Sequence, residues 1–149
     1  MKRHMQSLIA IMCLAAAAIA VAHAQTQTVT ARDAWMREPA PSRDVTAVFV
    51  VLENSGSVAR AVVSVACEAA DKAELHEMKN ENGMMRMSPV KSIPLPAGKT
   101  ELKPGGLHIM IFGIKQRPAV GDHVNVTLTL DDGSTVPVSA VVRKQESMQ

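Results

Sequence analysis

Residues 123–142 read HVNVTLTLDDGSTVPVSAVV. Val124, Val126, Leu128 and Leu130 alternate with His123, Asn125, Thr127 and Thr129, the period of two that places apolar side chains on one face of a half-buried strand. Asp131-Asp132-Gly133-Ser134 then supplies turn chemistry, and residues 135–142 resume as a second strand. Upstream the same pattern recurs, with candidate strands at residues 45–53, 60–67, 73–79, 84–90, 100–103 and 107–114. The breaks between them fall at Asn54-Ser55-Gly56, Asn82-Gly83 and Pro104-Gly105-Gly106, where Gly and Asn reach positive φ at little cost. Residues 38–44 carry Pro39 and Pro41, each lacking a ladder donor, and read as a loop. Short strands at this spacing predict an all-β chain folded as a β-sandwich. No internal repeat and no long helix is evident.

The start of the chain has another character. Lys2 and Arg3 precede an apolar run from Leu8 to Ala22, closed by Ala22-His23-Ala24. A charged start, a run shorter than the roughly 20 residues of a membrane span, and small residues at the cut describe a signal peptide over residues 1–24, cleaved after Ala24. Cys13 lies inside the apolar run and follows Met12 rather than a small residue, so lipidation and a stable membrane anchor are not expected. Residues 25–149 form one domain, long enough for one core but not for two. Lys2 and Arg3 account for the whole formal charge of +2. The remaining chain is formally neutral, which gives no reason to expect nucleic acid or an anionic membrane surface as partner. Cys67 is the only thiol outside the signal peptide, so no internal disulfide can form, and it reads as a small buried hydrophobe.

Aromatic residues are scarce, with one Trp, two Phe and no Tyr, whereas there are ten Met. The informative stretch runs from His76-Glu77-Met78 through Met84, Met85 and Met87 to His108-Ile109-Met110. Residues i and i+2 of a strand share a face, so His76 goes with Met78 and His108 with Met110. If Asn82-Gly83 is a two-residue hairpin turn, Glu81 stands opposite Met84 and Met78 opposite Met87, with His76 diagonal to Met87. The hairpin then gathers His76, Met78, Met85 and Met87 on one face. A third strand carrying His108 and Met110 to that face would complete a site of imidazoles and thioethers.

Such donors select the metal. Thioether sulfur is soft and uncharged and suits Cu(I), whereas zinc sites use thiolate, imidazole and carboxylate, and calcium or magnesium sites use oxygen. A blue-copper centre would need a Cys ligand, and Cys67 has no His or Met beside it. Against a metal stands the packing role of Met in cores, which could account for Met78, Met84 and Met85. Two His-x-Met pairs are harder to assign to packing, because they use two of the three His residues beyond the signal peptide. His123, on the polar side of its strand, is expected to face solvent. Glu74, Glu77, Lys79 and Arg86 read as solvated surface.

At these residues the chain resembles the periplasmic copper chaperones that supply the Cu(A) centre of cytochrome oxidase, the PCu(A)C family. Their signature is a His, a Met eleven positions later and a following His-x-Met. His76 and Met87 fit the first spacing, and His108-Ile109-Met110 fits the second pair. The likeness extends through Asp33-Ala34-Trp35, Ala70-Asp71-Lys72, Glu81-Asn82-Gly83, Pro96-Ala97-Gly98 and residues 102–106. Residues 88–107 are one fewer than the family pattern, a shortening expected in a loop over residues 91–99. The resemblance implies a cupredoxin-like, Greek-key β-sandwich with one Cu(I) per chain, held by His76, Met87, His108 and Met110. It implies a monomeric periplasmic metallochaperone whose recipients are a thiol-bearing copper assembly protein or the Cu(A) domain of oxidase subunit II. The tail from Arg143 to Gln149 holds only Met148, so no second copper is expected. Two rival readings are a copper or silver buffer without dedicated delivery and a metal-free β-sandwich assembly or adhesion module. No nucleophile elbow, zinc-protease helix or paired-carboxylate motif points to an enzyme.

Overall fold

The computed structural model describes residues 28–144. The signal peptide, its Cys13 and the tail residue Met148 lie outside the described residues. Ten strands follow one another: β1 (Val29–Arg37), β2 (Val45–Asn54), β3 (Arg60–Cys67), β4 (Ala70–Glu81), β5 (Met84–Pro89), β6 (Ile93–Leu95), β7 (Gly98–Leu102), β8 (His108–Ile114), β9 (His123–Leu130) and β10 (Thr135–Arg143). They hydrogen-bond along one path, β5-β4-β8-β2-β1-β10-β9-β3-β6, with β7 also on β2. The path folds over so that both halves share one core. Leu75, Ile109 and Ile111 from β4 and β8 pack in the same cluster as Val62, Val126 and Leu128 from β3 and β9. The chain is an all-β sandwich, as the alternating patterns predict.

Strands β9 and β10 bury every second residue and leave the ones between exposed or, at Thr129 and Val141, partly exposed. β2 departs from that alternation: Thr46 to Val50 are all buried, because this central strand is covered on both sides. Val48, Val50 and Leu52 face the main core. Ala47 and Phe49 face outward into a second, smaller cluster with Met110, against which Trp35, Val45 and Phe112 pack. This outer cluster is the floor on which the candidate site is built.

Two strands escaped the sequence reading. β1 breaks its own alternation: pairing with β2 shifts between Arg32 and Trp35, and Asp33 takes a φ of 53°. The extra residue is a bulge, and Asp is among the few side chains that tolerate this left-handed conformation. The bulge carries Trp35 onto Phe49 as its cross-strand partner. β6 falls in the stretch expected to be a loop. Its three residues pair at the edge of the path with Arg60, Ala61 and Val62, where Pro94 is tolerated. The segment 91–99 is therefore part strand, and β7 begins at Gly98.

Candidate metal centre

Asn82 and Gly83 both adopt positive φ, 54° and 83°, the primed turn whose twist matches a hairpin. The turn sets the register of β4 and β5: Glu81 opposite Met84, Met78 opposite Met87 and His76 opposite Pro89. On the other edge of β4 lies β8, with His76 opposite His108 and Glu74 opposite Met110. The predicted third strand is β8, and its His-x-Met pair lies beside the hairpin. Ile109 and Ile111, the residues that alternate with the pair, are fully buried in the main core. His108 and Met110 thus take the outer face.

The four residues singled out by the sequence differ in exposure. His76, His108 and Met110 are buried, whereas Met87 is half exposed. The imidazole centroids are 5.9 Å apart. His108 Nε2 lies 3.1 Å from Met87 Sδ, and its Nδ1 lies 2.9 Å from the Gly106 carbonyl oxygen. A carbonyl only accepts, so Nδ1 carries the proton in the neutral ring and Nε2 presents a lone pair toward the sulfur. Burial pushes the His108 pKa down, opposed by the Gly106 hydrogen bond and aided by the neighbouring His76 and Arg37. The ring is thereby held neutral, the form able to bind a metal.

His76 is arranged the other way round. Its Nε2 lies 3.0 Å from Glu74 Oε2, while Lys72 Nζ sits 2.6 Å from Glu74 Oε1. The bonds from His76 and then Lys72 hold the Glu74 carboxyl below its ordinary pKa. His76 Nδ1 is buried without a hydrogen-bond partner. Glu74 is therefore not the free surface charge that the sequence suggested. The signal was present in the alternation Lys72, Glu74, His76, Met78, which puts all four on one face of β4. Glu77 does pair at the surface, with Lys79 at 2.5 Å, and Arg86 reaches Glu81 at 3.4 Å.

Beside the imidazoles opens a cleft of about 570 Å³, lined by Phe49, Met78, Met85, Met87, His108 and Met110 among others. Phe49 stands 6.3 Å from His108 and 4.5 Å from Trp35, centroid to centroid. Phe112 stands 6.1 Å from His76. These aromatic neighbours were missed in the sequence, because only long-range pairing of β1, β2 and β8 brings them together. Met84 is exposed and does not line the cleft; His123 is exposed, as expected, with Nδ1 3.2 Å from Ser139 Oγ. Cys67 is buried, as expected, and burial raises its thiol pKa.

Among the described residues no group of three or more His, Cys, Asp and Glu is placed to hold a metal ion. A cation at this place would draw on the thioethers as well as the imidazoles. Two imidazole nitrogens and polarisable sulfurs on an apolar floor suit a soft, singly charged ion such as Cu(I). The unpartnered His76 Nδ1 and the His108 Nε2 lone pair fit such an ion on the observed chemistry alone.

Comparison with known proteins adds the following. The family model described as "Putative lipoprotein LpqE-like" matches residues 29–142. A relative from Leifsonia xyli subsp. xyli, named "Putative lipoprotein Lxx21020", is 39% identical over 117 residues, covering 77% of this chain and 69% of its own. The solution structure of apo-DR1885 from Deinococcus radiodurans is 33% identical, with a TM-score of 0.62 over 82% of this chain and 83% of that one. Its Cu(I) form, CuI-DR1885, is similar at a TM-score of 0.60 and 32% identity, over 83% and 84% of the two chains. The apo PCuAC domain from PmoF1 shares the fold, with a TM-score of 0.67 over 78% of this chain and 94% of that one at 21% identity.

Proposed function

Because the chain belongs to the LpqE-like family of PCuAC domains, we propose that it is an extracytoplasmic Cu(I) metallochaperone, with His76, Met87, His108 and Met110 as its ligands. The observation that carries this reading is the convergence of the two imidazoles and the Met87 thioether on one outer sheet face, with His108 Nε2 and Met87 Sδ 3.1 Å apart. The Cu(I) form of DR1885, similar over most of both chains, supports the choice of ion. The lipoprotein names of the relatives support a place outside the cytoplasm. The expected form is a periplasmic monomer beginning at Gln25.

Function follows from softness and exposure. Neutral imidazoles and thioethers bind Cu(I) without a formal charge of their own, so an anionic thiolate outcompetes them. Met87, half exposed on the edge strand β5, is the donor a partner can replace first. Transfer is ligand exchange: a Cu(I)–thioether bond breaks, a Cu(I)–thiolate bond forms, the thiol proton passes to solvent, and no electron moves. The proposed recipients are a thiol-bearing assembly protein and the Cu(A) domain of oxidase subunit II.

A Cu(I) titration of the secreted protein, anaerobic and reducing, against a chromophoric chelator tests the site. One tightly held equivalent is expected; failure to compete with the chelator would sink the reading. Incubation of the loaded protein with an apo Cu(A) domain tests delivery, and a recipient left without copper would favour a buffering role.

A further inference from the structure

The two site histidines are held by opposite ring nitrogens. His108 gives its Nδ1–H to the Gly106 carbonyl, 2.9 Å away, which leaves Nε2 as the lone-pair nitrogen. His76 has its Nε2 3.0 Å from a carboxylate oxygen of Glu74. An ionised carboxylate has no proton to give, so Nε2 donates, and in the neutral ring Nδ1 then carries the lone pair. That Nδ1 is buried and has no partner. Buried polar atoms without partners are rare, and one that accepts only is the natural counterpart of a cation. The carboxylate is itself fixed, because Lys72 Nζ reaches its second oxygen at 2.6 Å. Lys72, Glu74 and His76 succeed one another at every second residue of β4, so the whole relay lies on one face.

We propose that Glu74 is a positioning residue that locks His76 in its Nε2–H tautomer, so that His76 offers Nδ1 to Cu(I) while His108 offers Nε2. This rests on the copper reading above and extends it to the donor atom. Metal-binding histidines commonly give their other N–H to a carboxylate or carbonyl, which fixes the tautomer and strengthens the donor. Here Glu74 and Gly106 share that task between them, one for each ring. The alternative is that Glu74 blocks Nε2 until the metal displaces it. The orphaned Nδ1 favours the first arrangement, since a blocking role gives no reason to leave that atom unpaired.

Long-range proton–nitrogen correlation spectra of the secreted protein separate the two. In the metal-free wild type His76 is expected as the Nε2–H tautomer and His108 as the Nδ1–H tautomer. On addition of Cu(I), or of Ag(I) as its redox-inert mimic, the His76 Nδ1 resonance should move while the Nε2–H is retained. Glu74→Ala should mix the His76 tautomers and weaken Cu(I) binding about 10- to 100-fold, with the remaining amide spectrum unchanged. Lys72→Ala, which removes a charge but keeps the carboxylate, should preserve the wild-type tautomer. A metal-free His76 in the Nδ1–H form, or Cu(I) bound at Nε2 with Glu74 displaced, would overturn the proposal. Expected tautomers in a wild type that takes up no Cu(I) would instead overturn the copper reading, and the donor assignment with it.

Discussion

His108 Nε2 and Met87 Sδ approach to 3.1 Å although the two residues lie 21 positions apart in the chain. With the Gly106 carbonyl holding Nδ1–H, the approach sets a nitrogen lone pair against a sulfur lone pair, an arrangement that a shared cation would stabilise. Removing the sulfur should therefore cost binding more than folding. Met87→Ala is expected to lower Cu(I) affinity by more than about 100-fold, beyond the usual loss of an outer-shell partner. Because Met87 is half exposed, the stability of the metal-free protein should move by only about 0.5 kcal/mol. Chelator competition and a thermal melt check the two halves, and unchanged copper affinity would make Met87 a bystander.

Met110 differs because it is both buried and a candidate donor. It belongs to the outer cluster with Ala47 and Phe49. Met110→Ala should cost about 2–5 kcal/mol through the cavity it leaves, so its effect on copper would be confounded with unfolding. Met110→Leu conserves volume and should cost less than about 1.5 kcal/mol, yet it has no sulfur. A folded Met110→Leu with copper affinity like wild type would remove Met110 from the ligand set.

Acid should weaken the metal-free fold through His108. Its folded pKa lies below the ordinary value because burial disfavours the charged ring. The unfolded chain then binds the proton more readily, so stability is fully present above about pH 6.5, the unperturbed value, and falls as pH drops toward the lower folded pKa. Glu74, whose folded pKa is also depressed, acts in a separate window below about pH 4.5. Denaturant melts between pH 7.5 and 5 should show the first loss, and His108→Leu should flatten it.

The hairpin was legible because Asn82-Gly83 fixes the counting: once that turn is a two-residue link, Met78 must face Met87, as it does. That His108 and Met110 share a face followed from their spacing of two, whereas the burial of Ile109 and Ile111 that turns this face outward came from the structure. Which strand lies beside which was a different matter. That His76 faces His108 depends on β8 returning to the edge of β4, a long-range pairing no local pattern encodes. β1 was hidden by the bulge at Asp33, which removes the period of two on which strand reading rests. β6 was hidden by its length and by Pro94. Glu74 was read as solvated surface because its place on the same face as His76, two residues along β4, matters only once that imidazole is known to be buried.

Asn54 holds a corner of the fold that the turn chemistry only hinted at. Its side chain is buried and donates to the Val58 and Leu95 carbonyls at 2.9 and 3.0 Å, while its Oδ1 accepts from Gly56 N at 3.0 Å. These bonds tie the β2–β3 turn to β6. Asn54→Leu strands all three partners, one of the bonds being wholly buried, and should destabilise by about 2–4 kcal/mol. Copper binding by the folded fraction should persist, because none of these atoms lines the cleft. A melt shift without change in titration stoichiometry is the expected pairing.

Gly113 offers the sharpest test of the sheet geometry. It sits within β8 at a φ of 68°, and a Cβ built there would lie 2.5 Å from Asp71 Oδ2 and 2.8 Å from Asp71 Cβ. Two penalties then coincide: the left-handed conformation costs an L side chain about 1–2 kcal/mol, and overpacking costs about 1–3 kcal/mol more. Gly113→Ala should accordingly lose about 2–5 kcal/mol. Asp71→Gly in the same chain would relieve the collision but leave the backbone strain, so the double variant should regain part of the loss and not all of it. Because the two residues touch, the two changes should be non-additive. Full recovery would mean that φ at residue 113 relaxes freely, and no recovery would mean that the strand opposite, rather than Asp71 itself, resists the added carbon.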